Sequence, residues 1–220
     1  MGEETNETPH PPATAEFGYV TRDGPIHRYP PAGEVRVAKL SVGEYDNNVY
    51  VVESGGEAVL IDGAAEPDKI IAAVSGVHVK AIIQTHNHLD HTGALQELVD
   101  RLGVPVLAHP DDPMPVATED LGEGDSVPVG RATIAVMHTQ GHTPGSLSYL
   151  VNGHLFTGDT LFPGGPGNTS GERAAFDQIM RSLDRLFELP DETRVSPGHG
   201  LDTTIGRERP YVEVWRSRGW

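Results

Sequence analysis

Between Thr85 and His91 the chain reads Thr-His-Asn-His-Leu-Asp-His, so three imidazoles and a carboxylate stand within six consecutive residues. Neither packing nor helix propensity asks for that grouping, whereas neutral imidazole and carboxylate are the usual ligands of zinc and similar ions. The run before it, Val79 to Gln84, is apolar in the manner of a buried strand, so the cluster sits where a strand stops and a loop begins. Loops held by a rigid sheet commonly carry sites. If this one starts extended, His86, His88 and Asp90 project to one side and His91 points elsewhere. One stretch can then serve two neighbouring metal ions.

Three more potential ligands end β-type runs: His142 in Gln140-Gly141-His142-Thr143-Pro144-Gly145, Asp159 in Phe156-Thr157-Gly158-Asp159-Thr160, and His199 in Ser196-Pro197-Gly198-His199-Gly200. Each has glycine beside it, which lets the backbone bend and brings the side chain toward a shared centre. With His86, His88, Asp90 and His91 they make seven nitrogen and oxygen ligands. That is enough for two ions of about four to five coordination each once a bridging water is added.

Around these residues the texture is that of one domain with an appended arm. Residues 1–31 hold six prolines with many Glu and Thr, a composition suited to a flexible or draped arm that Phe17, Tyr19 and Ile26 could anchor. The domain, 32–220, opens with three strand patterns, Val35 to Leu40, Asn48 to Glu53 and Glu57 to Ile61, the last two joined at Ser54-Gly55-Gly56. Asp62-Gly63 ends the third strand, and Glu66-Pro67 opens a helix running to about Ser75. A second helix is expected from Gly93 to Leu102 and a third from about Arg173 to Phe187, each with one apolar face. Further strands are expected at Val104 to Ala108, Val127 to Val129, Ala132 to Met137, Ser146 to Val151, His154 to Thr157 and near Val195, which leads into a C-terminal tail. Asn152-Gly153 marks a hairpin.

Composition narrows the function. The formal net charge of −16 repels a phosphate backbone and no basic patch offsets it, which speaks against nucleic acid as partner. The absence of cysteine excludes disulfides, thiolate ligands and a cysteine nucleophile together. With no run of about 18 apolar residues and no export-type leader, no membrane partner and a cytoplasmic location are expected. The expected partner is a small-molecule substrate, and the sequence is compatible with a homo-oligomer.

The pattern His86-x-His88-x-Asp90-His91, then His142, Asp159 and His199, closely resembles the metallo-β-lactamase superfamily, in particular its glyoxalase II-like hydrolases. The resemblance runs from about Val35 to His199 and includes Phe156-Thr157-Gly158-Asp159-Thr160-Leu161-Phe162. It implies an α/β fold, an αββα sandwich of two mixed β-sheets flanked by helices, with the metals at one edge between the sheets. Carried over to this chain, it gives His86, His88 and His142 to one ion and Asp90, His91 and His199 to a second, with Asp159 bridging. It also implies Asp62 as a hydrogen-bond partner of a ligand imidazole, and two divalent ions, zinc foremost, with iron or manganese in its place.

Two such ions, about 3.5–4 Å apart, share a water, lower its pKa and stabilise the oxyanion formed on a carbonyl. Asp90 is placed to orient the hydroxide as the catalytic carboxylate. A thioester or ester leaving group needs little protonation, whereas an amide needs a general acid that the sequence does not offer. Hydrolysis of a small thioester or ester is therefore expected. Two departures from glyoxalase II tell against a glutathione thioester: Leu161 to Thr169 replaces a Gly-Cys-Gly-Arg run, and only 21 residues follow His199, so the helical domain that binds glutathione there is missing. Tyr45, Tyr149, Asn168, Thr169 and Arg173 are candidate substrate contacts. The competing reading is a persulfide dioxygenase of the same superfamily, with one iron on His86, His142 and Asp159; a lactonase is a further alternative.

Overall fold

The computed structural model describes residues 11–219. Two mixed sheets pack face to face, with helices on the outer face of each. The first sheet is built, in spatial order, from β1 (His27–Arg28), β2 (Arg36–Val42), β3 (Asn47–Ser54), β4 (Glu57–Ile61), β5 (His78–Ile83), β6 (Val106–Ala108) and β7 (Glu119–Asp120). Neighbours are antiparallel up to β4 and parallel from β4 onward. The parallel crossovers carry α1 (Pro67–Ala73), the single turn α2 (Leu89–Thr92) and α3 (Leu95–Leu102).

The second sheet takes β8 (Ser126–Val129), β9 (Ala132–His138), β10 (Leu147–Val151) and β11 (His154–Gly158) as an antiparallel run. A small ribbon, β12 (Leu161–Phe162) with β13 (Gly165–Pro166), and helix α4 (Arg173–Leu186) then lead to β14 (Arg194–Pro197), which pairs parallel with β11. β15 (Thr203–Thr204), α5 (Ile205–Glu208) and α6 (Val212–Arg218) complete the described chain. The αββα sandwich expected from the resemblance is the one observed.

The central strands β2, β3, β4, β10 and β11 are buried on both faces, which is why they read as continuous apolar runs, whereas β8 and β9 alternate buried with exposed residues. Along β3, Tyr50 and Val52 face the second sheet while Val49 and Val51 face α1 and α3. Between the sheets they meet Leu147, Tyr149, Val151 and Phe156. The outer face of the second sheet is closed by Phe176, Ile179, Met180, Leu183 and Leu186 of α4, the apolar stripe read from the sequence. Asn152 and Gly153 both have positive φ, 44° and 79°, as a two-residue hairpin of primed type requires.

Three parts of the chain differ from the reading of the sequence. The C-terminal segment is not a plain tail: α6 seats Trp215, fully buried, against Phe187 on the outer layer. Residues 27–28, within the proline-rich arm, add a strand to the first sheet, and Tyr29 is buried with its hydroxyl 2.7 Å from Asp202. Of the three named anchors, Ile26 packs on the outer core and Phe17 lies beneath the Arg207 guanidinium, but Tyr19 is exposed. The arm's first ten residues lie outside the described ones. Lastly, Leu89–Thr92 forms a helical turn where a loop was expected.

One buried ion pair joins the two sheets. Lys39 Nζ, fully buried, donates to Asp202 Oδ1 at 2.9 Å and to the Gly200 carbonyl at 2.6 Å. Arg194 Nη1 approaches the other oxygen of Asp202 at 3.4 Å. Burial depresses the Lys39 pKa, and Asp202 counteracts it. Removing one partner strands the other charge without solvent, so Lys39→Met is expected to cost about 3–5 kcal/mol in urea unfolding. Lys39→Met with Asp202→Asn should cost less, because no unpaired charge remains.

Burial also holds His154 at a pKa of about 4, the Arg194 charge adding to the effect. The unfolded chain then binds the extra proton below about pH 6.5, so stability falls as pH drops from there toward 4. His154→Phe should show a shallower loss of unfolding free energy between pH 7 and pH 5 than the parent protein.

Candidate metal centre

The seven candidate ligands converge on one edge of the sandwich, where the parallel strands end. His86 and His88 follow β5, Asp159 follows β11, and His199 follows β14, while His142 lies on the connection from β9 to β10. Their ligand atoms fall into three groups, each within 4.8 Å: His86 with His88 and His142; Asp90 with His91 and His199; and His86 with His91 and Asp159.

The turn of α2 sorts the first cluster. His88 is still extended, with ψ 146°, and helical geometry begins at Leu89. Asp90 is consequently turned away from His86 and His88 and toward His199, whose Nε2 lies 3.4 Å from Asp90 Oδ2. The extended projection of His86, His88 and Asp90 to one side is corrected accordingly: a helical turn pairs Asp90 with His91 instead.

Hydrogen bonds on the far side of each ring fix where its lone pair points. His91 Nδ1 donates to Asp62 Oδ2 at 2.9 Å, His142 Nδ1 to the Asn168 carbonyl at 2.7 Å, and His199 Nδ1 to the Tyr45 carbonyl at 2.8 Å. Thr85 Oγ1 gives its own hydrogen to Asp62 Oδ2 and accepts from His86 Nδ1 at 3.0 Å. In the neutral form, which is the one that binds a metal, the Nε2 atoms of these four rings are therefore the acceptors, and they face one another or another ring. His91 Nε2 is 3.1 Å from His199 Nε2; His88 Nδ1 is 2.9 Å from His142 Nε2 and 3.2 Å from His86 Nε2. Converging lone pairs repel unless a proton or a cation lies between them. Four donors about 2.1 Å from a tetrahedral ion stand about 3.4 Å apart; the nitrogens here are slightly closer, and Asp90 Oδ2 stands 3.4 Å from His199 Nε2.

Electrostatics agree. Burial drives the His86 pKa far below its ordinary value, helped by the neighbouring His91 charge, and burial also lowers His142. Burial opposes a charged His91 too, but Asp62, with Asp159 and Asp90 behind it, overrides this and raises its pKa to about 9. Asp159 is held well below the usual carboxylate range, His199 and His91 outweighing its burial. Its Oδ1 is buried without a hydrogen-bond partner, 3.5 Å from His91 Nε2, while Oδ2 is 3.6 Å from His142 and 3.5 Å from His199. A carboxylate shared between both halves in this way is suited to bridging two cations. The donor set thus fits a pair of divalent ions.

Several supporting residues escaped the sequence reading. Asn47 Nδ2 holds Asp90 Oδ2 at 3.0 Å. Buried Asp112 ties the two ligand loops together, accepting from the Asn87 and Gly145 amides and the Thr143 hydroxyl. Gln84 bridges the Gly63 amide and the His91 carbonyl. None has a local pattern; each is recognisable only from its distant partner. Asp62 was singled out, and it is a non-glycine residue at φ 67°, a strained conformation that aims both its oxygens at Thr85 and His91. Gly198 is needed sterically, since a Cβ there would fall on the Asp159 carboxylate and the His91 ring.

Among the candidate substrate contacts, Tyr149 is corrected to a core residue: it is fully buried, with its hydroxyl on the Gln84 carbonyl. Arg173 points to solvent and pairs with Asp177 at 2.8 Å. Tyr45 does stand at the mouth, with Leu89, Asp90 and His199. Thr169 lines a depression beside His142, and Asn168 contributes its carbonyl to that ring.

Residues 42–199 match the sequence model of the metallo-beta-lactamase superfamily. An uncharacterized protein of Aquifex aeolicus is 35% identical over 78% of this chain and 93% of its own length. A hydroxyacylglutathione hydrolase of Idiomarina loihiensis is 34% identical over 70% of this chain, but the match spans only 61% of that relative. Among solved structures, TTHA1623 in a di-iron-bound form is 36% identical with a TM-score of 0.71, covering 78% of this chain and 96% of that one. ETHE1 from Myxococcus xanthus is 33% identical with a TM-score of 0.73, covering 79% and 81%.

Asp62→Asn keeps the shape but weakens the charge and hydrogen bond that orient His91. Metal affinity in competition with a chelating dye is expected to fall about ten- to a hundredfold for the weaker-bound ion. Unchanged affinity would show that His91 is oriented without Asp62.

Proposed function

Since the chain belongs to the metallo-β-lactamase superfamily, we propose that it is a dinuclear metal-dependent hydrolase of small thioesters or esters. The observation that carries this reading is the completeness of both ligand groups, His86/His88/His142 and Asp90/His91/His199, with Asp159 lying between them. Zinc is the expected ion, and the di-iron form of a 36% identical structure makes iron the next to test. When bound, the ions supply a hydroxide nucleophile near neutral pH and an electrophile for the carbonyl oxygen.

The protein groups do the rest. Asp90, kept charged and held by Asn47, is positioned to orient the attacking water and receive its proton. The oxygen of that water bonds to the acyl carbon, the C–S or C–O bond breaks, and the proton leaves with the thiol or alcohol. An amine leaving group would require an acid. The residues lining the mouth include no histidine outside the ligand set, and Tyr149 is buried below it.

The one-iron oxygenase alternative would use His86, His142 and Asp159 and leave Asp90, His91 and His199 without a ligand role. Elemental analysis of protein purified without chelators separates the two readings. About two divalent ions per chain are expected, and about one iron, with oxygen consumed on adding a persulfide, would overturn the hydrolase. Asp159→Ala should abolish hydrolysis and lower metal content at both positions; a fully active variant would refute the shared bridging role.

A further inference from the structure

Among the described residues the exposed large hydrophobic side chains are Tyr19, Tyr45 and Leu89. Two of these three stand together on the lip of the metal centre. Leu89 is 82% exposed, on the turn between His88 and Asp90, and Tyr45 is 70% exposed on the β2–β3 loop, whose carbonyl holds His199. With Asp90 and His199 they line one depression. Phe162 extends the apolar surface, its ring lying against His199 at 6.3 Å. Apolar surface left open beside polar ligands is characteristic of a site that expects an apolar group.

Charge around the mouth has one sign. Neither the depression at Tyr45 and Leu89 nor the one beside His142 is lined by any lysine or arginine. Glu172 lines the second, and Tyr45 is flanked in sequence by Glu44 and Asp46. Thr169 also lines the second depression and is uncharged. Apart from the metal ions themselves, an anionic carrier would find no lysine or arginine lining either depression and would meet the carboxylates of Glu172, Glu44 and Asp46 nearby.

We infer that the substrate is an ester or thioester whose acyl chain is apolar and lies on Tyr45 and Leu89, and whose leaving group is uncharged. This rests on the hydrolytic reading above and narrows it to a substrate class. Water adds to the acyl carbon, the C–S or C–O bond breaks, one proton of the water leaves with the neutral thiol or alcohol, and the other passes to solvent as the acid ionises to a carboxylate.

The test uses metal-loaded full-length protein and acyl thioesters of N-acetylcysteamine, glutathione and coenzyme A. With the neutral carrier, kcat/KM should rise by about tenfold or more from acetyl to octanoyl, as expected if only part of the added chain is buried. The glutathione and coenzyme A thioesters should be poorer by a similar factor. In Tyr45→Ser/Leu89→Ser, with metal content confirmed, the octanoyl-to-acetyl ratio should fall toward one. Calorimetry gives a readout independent of turnover: octanohydroxamate should bind more tightly than acetohydroxamate to the parent protein, and that advantage should vanish in the double variant. A flat chain-length profile, or preference for the glutathione or coenzyme A thioester, overturns this inference while the hydrolase stands. No hydrolysis of any thioester or ester overturns both.

Discussion

Everything at the active edge answers to one constraint: seven electron-pair donors have to be held within a few ångströms of one another although they repel. The imidazole nitrogens alone approach to 2.9–3.2 Å. A flexible chain would relieve this by moving the rings apart. Here four of the five rings, those of His86, His91, His142 and His199, are tethered from behind by a group that is itself fixed, so the repulsion is retained and becomes affinity for cations. Metal binding then costs little rearrangement, since the scaffold has already ordered the ligands during folding.

The tethers come from the neighbouring strand of the same sheet as well as from across the sandwich. His91 and His86 depend on Asp62 at the end of β4, directly or through Thr85. The His199 loop is clamped by β2 and β3: Asn48 donates to the Pro197 and Gly200 carbonyls, Tyr50 to Pro197, and Lys39 to Gly200. The buried Lys39–Asp202 pair therefore serves position as well as cohesion. Replacing it with apolar residues could match its stability but would release the carbonyl that Lys39 holds. The second sheet contributes Asp159 and His142, and Asp112 fastens the His142 loop back to Asn87. Neither sheet alone carries a complete site.

How much of this was legible in the sequence follows from the range of the interactions. The candidate ligands that the fold brings together were, because they are rare residue types concentrated at strand ends, where they stand out against an apolar run. The strands and α4 were, because their periodicity is local. Asn47 was not: its partner, Asp90, is 43 residues away, and an asparagine at a strand start has many ordinary uses. Lys39 looked like one more polar residue between Ala38 and Leu40, and only Asp202, 163 residues on, gives it a reason to be buried. The helical turn at Leu89–Thr92 carries too few residues for any period. The seven residues of α6 have one buried anchor, Trp215, and no stripe. Tyr149 could have been placed correctly from its alternation with Leu147 and Val151, which puts it on the inner face of β10.

If the chain hydrolyses a neutral ester or thioester, as proposed, its charge bears on the release of the product. Hydrolysis of a neutral ester or thioester creates a carboxylate where none existed, so substrate and product differ in how they interact with an acidic surface. In that reading a neutral acyl compound is neither attracted nor repelled on approach, and the exposed side chains of Tyr45 and Leu89 offer it apolar contact. The acid formed from it faces Glu172 and the Glu44–Asp46 loop, with no lysine or arginine lining either depression to retain it. A net charge of −16 distributed over the whole chain adds a field of the same sign. On the proposed reaction, a surface without lysine or arginine lining these depressions would thus also favour departure of the product, so that one feature of composition would shape both selectivity and release.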